Sequence, residues 1–556
     1  PDDAYRFARG ESLTHPAGYK MQLEEPLDFY AVTDHGFFLG IMKAMATPSS
    51  EMSQHPDAKL FTQHKTTADR SEAFQGILKY VDPESEVVGQ LSNPKETAAA
   101  WSNIIDAANR HNDPGRFTTF VAYEYTSGPD FQNLHRNVVF KGDRAPAVPF
   151  SRSDSPNPED LWRWMDEQRN AGMESLAMPH NSNGSNGQMF SLVDFGGRPL
   201  DAAYAELRMR NEPLVENTQI KGTSDTHPML SPNDEWANFE IMPLRIASTL
   251  TSDINGSYAR EALMNGLEFQ TKKGFNPYKF GLVGSSDTHN ASWSGNDQEY
   301  YGKVGMLDAD GQTRGSVPLD EPDANGNEYS SNYYHYWGGS GLAAVWAERN
   351  TRDDIYAAFR RKEAFSTTGP RIKVRFFGGV RLPDIDSQTL VNDAYKAGVP
   401  MGGDLVMSGD LMSGDEAPEF IVWAMRDPND QPLQRAQIIK AWVENGKAQE
   451  MVYDVACSQG GEVNPRTHRC PDNDAYVDLT NCASKGMGAA ELKAKWRDPD
   501  FNPETTAFYY VRVLQNPSCR WSTWDALRAG VPPREDLPAT IQERAWSSPI
   551  WYTPAG

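Results

Sequence analysis

No apolar run among these 556 residues approaches the ~20 that a membrane-spanning helix requires, so no membrane span is expected. Positive charge is also in short supply: 53 Lys and Arg stand against 76 Asp and Glu, a net charge of −23. Phosphate backbones are gripped through Lys/Arg surfaces, which excludes nucleic acid as a general partner. The G-x-S-x-G nucleophile elbow is missing, which disfavours a Ser-His-Asp hydrolase. There is no internal repeat of solenoid type. Cysteine is scarce, and all four, Cys457, Cys470, Cys482 and Cys519, lie in the last hundred or so residues. None has C-x-x-C spacing, which argues against a zinc knuckle. An even, clustered set favours two disulfides, with three pairings open, and so a periplasmic or secreted protein. The chain opens PDDAYRFARG, without initiator Met or signal peptide, and is expected to begin inside a longer or processed product.

What is present alternates. LDFYAVTDHG (27–36), FTTFVAYEYTSG (117–128), ESLAMPHNSNG (174–184), EPLVENTQIKG (212–222) and YKFGLVGSSDTHN (278–290) are apolar runs that end in polar residues. Between them, 94–112 and 157–172 have helical period; the second has Asn157 as N-cap, Pro158 in the first turn and a terminal glycine. Strands alternating with helices predict parallel pairing, in an open sheet or a barrel. Past residue 370 the texture turns β-rich, with a hairpin signal at Asn445-Gly446 and one helical pattern at 489–496. The expected domains are therefore 1–370 and a β-sandwich-like 371–556. Residues 291–340, rich in Gly, Asn, Ser and Tyr, form a long insert that either covers a site or packs on the tail.

Residues able to bind metal follow the apolar runs. Asp34 and His35 close the first, Glu124 lies near the end of the second, His135 follows, His180 closes the third, and Asp287 and His289 close the last. In a parallel barrel the C-terminal strand ends converge on one face. Imidazoles and carboxylates gathered there suit Zn, Mn or Fe, and an Asp or Glu can bridge two ions. A single His in a strand is more often a hydrogen-bonded core group than a ligand. Several clusters, each behind an apolar run, are hard to explain as solvated surface.

FYAVTDHG, AYEYTS, NLHRNVVF, AMPHNSNG and GLVGSSDTH, in that order, resemble the PHP (polymerase and histidinol phosphatase) superfamily. More narrowly, the chain is similar to domain-of-unknown-function family 3604, a likeness that covers nearly its whole length. The resemblance implies an α/β fold, a distorted (β/α)7 barrel with a C-terminal β-sandwich-like domain. It implies two or three divalent ions (Zn, Mn or Fe) and hydrolysis of an anionic small-molecule ester, a phosphoester above all. Carboxylic ester, carbamate or amide hydrolysis, or a non-enzymatic role on a degenerate barrel, are the alternatives. Glu124 resembles the bridging carboxylate, His135 and His180 ligands of one ion, and Asp287 a ligand of its neighbour. His35 and His289 would take a third ion, with Asp34 a ligand or a support for one. Glu124, Asp287 and His289 are the catalytic candidates.

The superfamily opens with His-x-His, and no H-x-H occurs in these residues. The expectation is that this segment precedes residue 1; the other reading is a chain that lacks two ligands. SDTH is spelled twice, at 224–227 and 286–289, and only the second matches a ligand motif. Asp225 and His227 of the first are expected on the substrate side or in structure. Arg136 and Lys221 could meet an anionic oxygen. Asn181 and Asn183 could orient substrate, or could simply make a turn.

Overall fold

Seven of the short strands in the first 300 residues position the site; the structure, a computed structural model, describes residues 1–80, 87, 90–406 and 417–554. They are β1 Phe29–Ala31, β2 Thr118–Phe120, β3 Ala122–Tyr125, β4 Arg136–Phe140, β5 Ser175–Pro179, β6 Leu214–Gln219 and β7 Gly281–Gly284. Helix α1, Pro94–His111, precedes β2, and α2, Pro158–Asn170, precedes β5. Asn157 caps α2 by accepting from the Glu159 N–H, with Pro158 in the first turn. Helices α3, Ala202–Asn211, and α4, Ala259–Lys273, flank β6.

β1 pairs with β2, and β6 with β7, in parallel as expected. β4 departs from the expectation and runs antiparallel between β3 and β5. The connection 126–135 explains this, because a parallel return needs about a dozen residues or more, usually a helix. The strands fall into separate small sheets, and no closed barrel forms among the described residues. Among the described residues β1 pairs with β2 alone, and β7 with β6 alone.

Two further strands, β8 Leu342–Val345 and β9 Ala364–Thr367, flank helix α5, Arg352–Arg360. The tail then supplies β10 Lys373–Gly379, β11 Gly398–Pro400, β12 Glu419–Met425, β13 Leu433–Glu444 and β14 Lys447–Cys457. It ends with β15 Glu491–Arg497, β16 Ala507–Gln515, β17 Arg544–Ser547 and β18 Ile550–Thr553. One sheet runs β11-β10-β12-β15; a larger one runs β8-β9-β17-β16-β13-β14, with β18 also on β16. Phe376, Phe420 and Val422 of the first share a buried cluster with Ile438, Tyr509 and Val511 of the second, so the sheets pack face to face. Because β8 and β9 precede residue 370, the larger sheet crosses the expected domain boundary. A second cluster joins Val215 and Leu282 to Ile439, Phe508 and Trp546 of the tail. Of the expected tail, 407–416 and 555–556 lie outside the described residues.

Asn445 and Gly446 form the β13–β14 turn with φ of 51° and 74°, the left-handed pair that a two-residue hairpin requires. The helix expected at 489–496 is instead strand β15. Buried Leu492 and Ala494 alternate with Glu491, Lys493 and Lys495, a period of two that sheet pairing with β12 selects. The disulfides are Cys457–Cys470 and Cys482–Cys519, and no free cysteine remains among the described residues. The 291–340 insert packs on the tail, where Tyr300 stacks on Trp521 with ring centroids 4.6 Å apart. No helix among the described residues is long and apolar enough to cross a membrane.

Candidate metal centre

The antiparallel β4 is what gathers the first ligand candidates. Glu124 sits near the end of β3, and the register pairs Tyr125 with Arg136 and Arg136 with Pro179. His135, just before β4, and His180, just after β5, therefore reach the same edge as Glu124. The three are buried, with ligand atoms all within 4.8 Å of one another. His135 Nδ1 lies 2.5 Å, and His180 Nε2 3.3 Å, from Glu124 Oε1. Among the described residues, Glu124 Oε1 makes no well-formed hydrogen bond, and the far ring nitrogen of His180, Nδ1, is also buried without a partner. Close donors that fail to bond one another suit groups aimed at a shared cation, and two imidazoles with a carboxylate suit Zn, Mn or Fe.

Glu124 Oε2 serves the other side. It lies 2.9 Å from His35 Nδ1, which also meets Thr126 Oγ1 at 2.6 Å. His35 Nε2 faces His289 Nε2 at 3.3 Å. Lys303 Nζ donates to His289 Nδ1 at 2.7 Å and to the Asp287 carbonyl at 2.9 Å. The Asp287 carboxylate is held by Lys221 at 2.6 Å and by the Gln219 amide at 2.7 Å. Asp287 and Asn181 take φ of 52° and 50°, in the left-handed region that is uncommon for residues with a Cβ.

Charge follows from this packing. Burial pulls the Glu124 carboxyl upward, but His35 and His135 outweigh it and hold it well below the usual range. Burial raises Asp287 too, and Lys221 and Lys303 overcome it, leaving that carboxyl well below its ordinary value. Burial pushes His135 down to about 3, and together with the Lys303 charge it depresses His289. For His180 the desolvation is outweighed by Glu124, so its pKa rises. Asp34, at the cavity wall, is raised by burial.

A cavity of about 800 Å³ opens against this cluster. Asp34, His35, Glu124, Asp287 and His289 line it beside apolar residues of β1, β2, β7 and β8, including Phe29, Phe120, Val283 and Leu342. His135 and His180 stand behind Glu124, outside the lining.

A family model described as "Protein of unknown function (DUF3604)" matches residues 1–554. The chain belongs to the DUF3604 family. No curated protein and no solved structure gives a significant match.

In this DUF3604 chain the five residues expected at the substrate do not line the cavity. Arg136 is buried against Glu212, Nε to Oε1 at 2.8 Å. Asn181 Nδ2 donates to Asn183 Oδ1 at 2.6 Å, and Asn183 Nδ2 donates to the Lys221 and Met242 carbonyls at 3.0 and 3.2 Å, so Asn183 ties this turn to distant segments of the chain. Lys221 is paired with Asp287, within the centre. His227 accepts from the Met229 N–H and lies 5.5 Å from the Tyr258 ring. Asp225, of the same first SDTH, is buried against Arg260 and Tyr510.

Two members of the site escaped the sequence. Lys303 lies in the insert that was expected to cover a site or pack on the tail, but no motif singled out the lysine itself. Glu216 did leave a trace, as a carboxylate in the middle of an apolar run. It is 1 % exposed, lines the cavity, accepts from the Asn181 N–H at 3.2 Å and from the Ser285 hydroxyl, and so ties the end of β5 to the end of β7. Burial raises its pKa to about 7.

Proposed function

We propose that this chain is a metal-dependent hydrolase of the PHP type, built on a (β/α)7-like barrel opened along one side, that cleaves phosphoesters. The observation that carries the reading is Glu124, with one oxygen among His135 and His180 and the other against His35 at the cavity wall. The unpaired edges of β1 and β7, whose residues both line the cavity, support an opened barrel.

Glu124, His135 and His180 would hold one ion, and His35 and His289, with Asp34 and Asp287 nearby, a second. Zn, Mn or Fe in these places supplies Lewis acidity and lowers the pKa of water from ~15.7 towards ~7. The chain does the rest. Lys303 and Lys221 set positive charge beside Asp287, where an anionic ester gains most from it. Lys303 also fixes the ring of His289, and Glu216 holds the β5 and β7 ends together.

One observation favours a second reading, a binding protein with a reduced metal set. Both Lys221 and Gln219 already occupy the Asp287 carboxylate.

The deciding experiment assays aryl phosphate, bis-aryl phosphate and aryl ester turnover with and without chelator, alongside elemental analysis. We expect chelator-sensitive phosphoester cleavage, at least about one divalent ion per chain, and loss of both in Glu124→Gln, with metal affinity down at least ~10-fold. Turnover of the carboxylic ester alone overturns the phosphoester assignment. Metal-free protein with no activity supports the binding protein.

A further inference from the structure

The cavity beside Glu124 continues past the ligand candidates into the apolar interior. On β1, β2 and β7 its lining includes residues four or five positions before them, Phe29 ahead of Asp34, Phe120 ahead of Glu124 and Val283 ahead of Asp287. Four residues of extended chain span about 13 Å, so the apolar walls lie well below the charged end. β4 runs the opposite way, and there the order reverses: the lining residue Val139 comes four positions after His135.

The fold leaves apolar side chains here incompletely covered. Phe29, Ala31, Met178 and Ala343 pack against the buried cluster that holds Phe120, Val139 and Val283. Each of the four is itself only half-buried, and each lines the cavity. Apolar surface facing a space inside the domain leaves hydrophobic burial unrealised, and an apolar guest supplies it.

Charge is confined to the other end. Of the Asp, Glu, Lys and Arg residues in the lining, Asp34, Glu124, Glu216 and Asp287 belong to the centre. The other two, Asp3 and Arg6, lie in the helix Asp2–Ala8, where Arg6 donates to Asp3 at 2.9 Å and to Glu11 at 2.8 Å. Among the described lining residues, then, no uncommitted cation awaits a second anionic group. The volume of about 800 Å³ is that of a site for a whole small molecule, far more than a bare phosphate fills.

We propose that the ester cleaved here is an amphiphile, with one anionic phosphate head at Glu124 and Asp287 and one uncharged alkyl tail lying along Phe120, Met178 and Val283. The head's place rests on the hydrolase function proposed for this centre; the tail's place rests on the cavity alone. Water is the co-reactant. Its oxygen forms a new bond to phosphorus, the bond from phosphorus to the alkyl oxygen breaks, and a water proton passes to that oxygen, releasing the alcohol and inorganic phosphate.

The test measures turnover of ethyl, butyl and octyl phosphate by the metal-loaded full chain. In parallel, calorimetry measures binding of ethyl-, butyl- and octylphosphonate, whose P–C bond this reaction leaves intact. We expect a gain of about 4-fold per added methylene in kcat/KM and in affinity, and so at least ~30-fold between butyl and octyl. Ala343→Phe, which fills the cavity from β8, should lower the octyl-to-ethyl ratio at least ~10-fold in both measurements. Ala31→Phe does the same from β1 should the first variant fail to fold. Length-dependent phosphonate binding without turnover of any phosphate supports the tail site and overturns the hydrolase. Affinities that do not change with chain length overturn the tail site, whatever the turnover, and leave the open β1 and β7 edges to pair with a peptide strand instead.

Discussion

Lys303 governs what His289 can do. Its ammonium is 4 % exposed and donates to His289 Nδ1 and to the Asp287 carbonyl, and burial lowers its pKa to about 8. Replacing it by Met leaves both acceptors without that donor. A buried hydrogen bond to a charged group contributes ~1.5–3 kcal/mol, so Lys303→Met should cost about 2 kcal/mol in a urea titration. It also removes a positive charge from beside Asp287, so affinity for divalent metal should rise. A variant equal to the parent in stability and in metal content would mean that the contact is idle. Most ligand candidates were legible because they follow an apolar run, and a strand end has a predictable address; His135, which precedes β4, was legible only through the likeness of NLHRNVVF to a known family. Lys303 was not, since its place depends on how the insert folds back, which no local pattern encodes.

The two disulfides differ in the loop each closes, 13 residues for Cys457–Cys470 and 37 for Cys482–Cys519. In the loop-entropy model these are worth about 3 and about 4 kcal/mol. Replacing Cys482 and Cys519 together by Ala should therefore destabilise more than replacing Cys457 and Cys470, by about 1 kcal/mol in guanidinium unfolding. Equal midpoints would show that restriction of the unfolded chain is not what these links contribute. Elsewhere the elements divide by how local their causes are. α2 follows from its cap and first-turn proline, and the β13–β14 hairpin from Asn445-Gly446; both could be read directly. β15 and the reversal of β4 could not. For β15 a neighbouring strand selects period two from a segment with good helix formers, and for β4 only the shortness of its connection hints at the direction. The pairing of the cysteines was equally closed to sequence, since spacing leaves every connectivity open.

Across the whole molecule, the two halves are tied by a buried charge network as well as by shared cores. Asp234 accepts from Arg260 of α4 at 2.8 Å and from both terminal nitrogens of Arg512 of β16, at 2.8 and 2.7 Å. Asp225 receives Arg260 at 3.0 Å and the Tyr510 hydroxyl at 3.1 Å. The first SDTH thus belongs to the joint, and the second lines the cavity beside Glu124. Removing one charge from such a group strands the others in a low-dielectric interior, at a cost of ~3–5 kcal/mol. Asp234→Asn should therefore destabilise by about that much at pH 7. Burial alone would raise the Asp234 carboxyl, but Arg512 and Arg260 hold it well below its ordinary value. A lowered folded-state pKa means that the contribution is fully present above the unfolded value of ~3.9 and fades as the pH falls further. Denaturant midpoints of parent and variant should accordingly lie far apart at pH 7 and draw together in strong acid. A gap that stays constant down to pH 2 would assign the loss to packing around Asp234 and not to its charge.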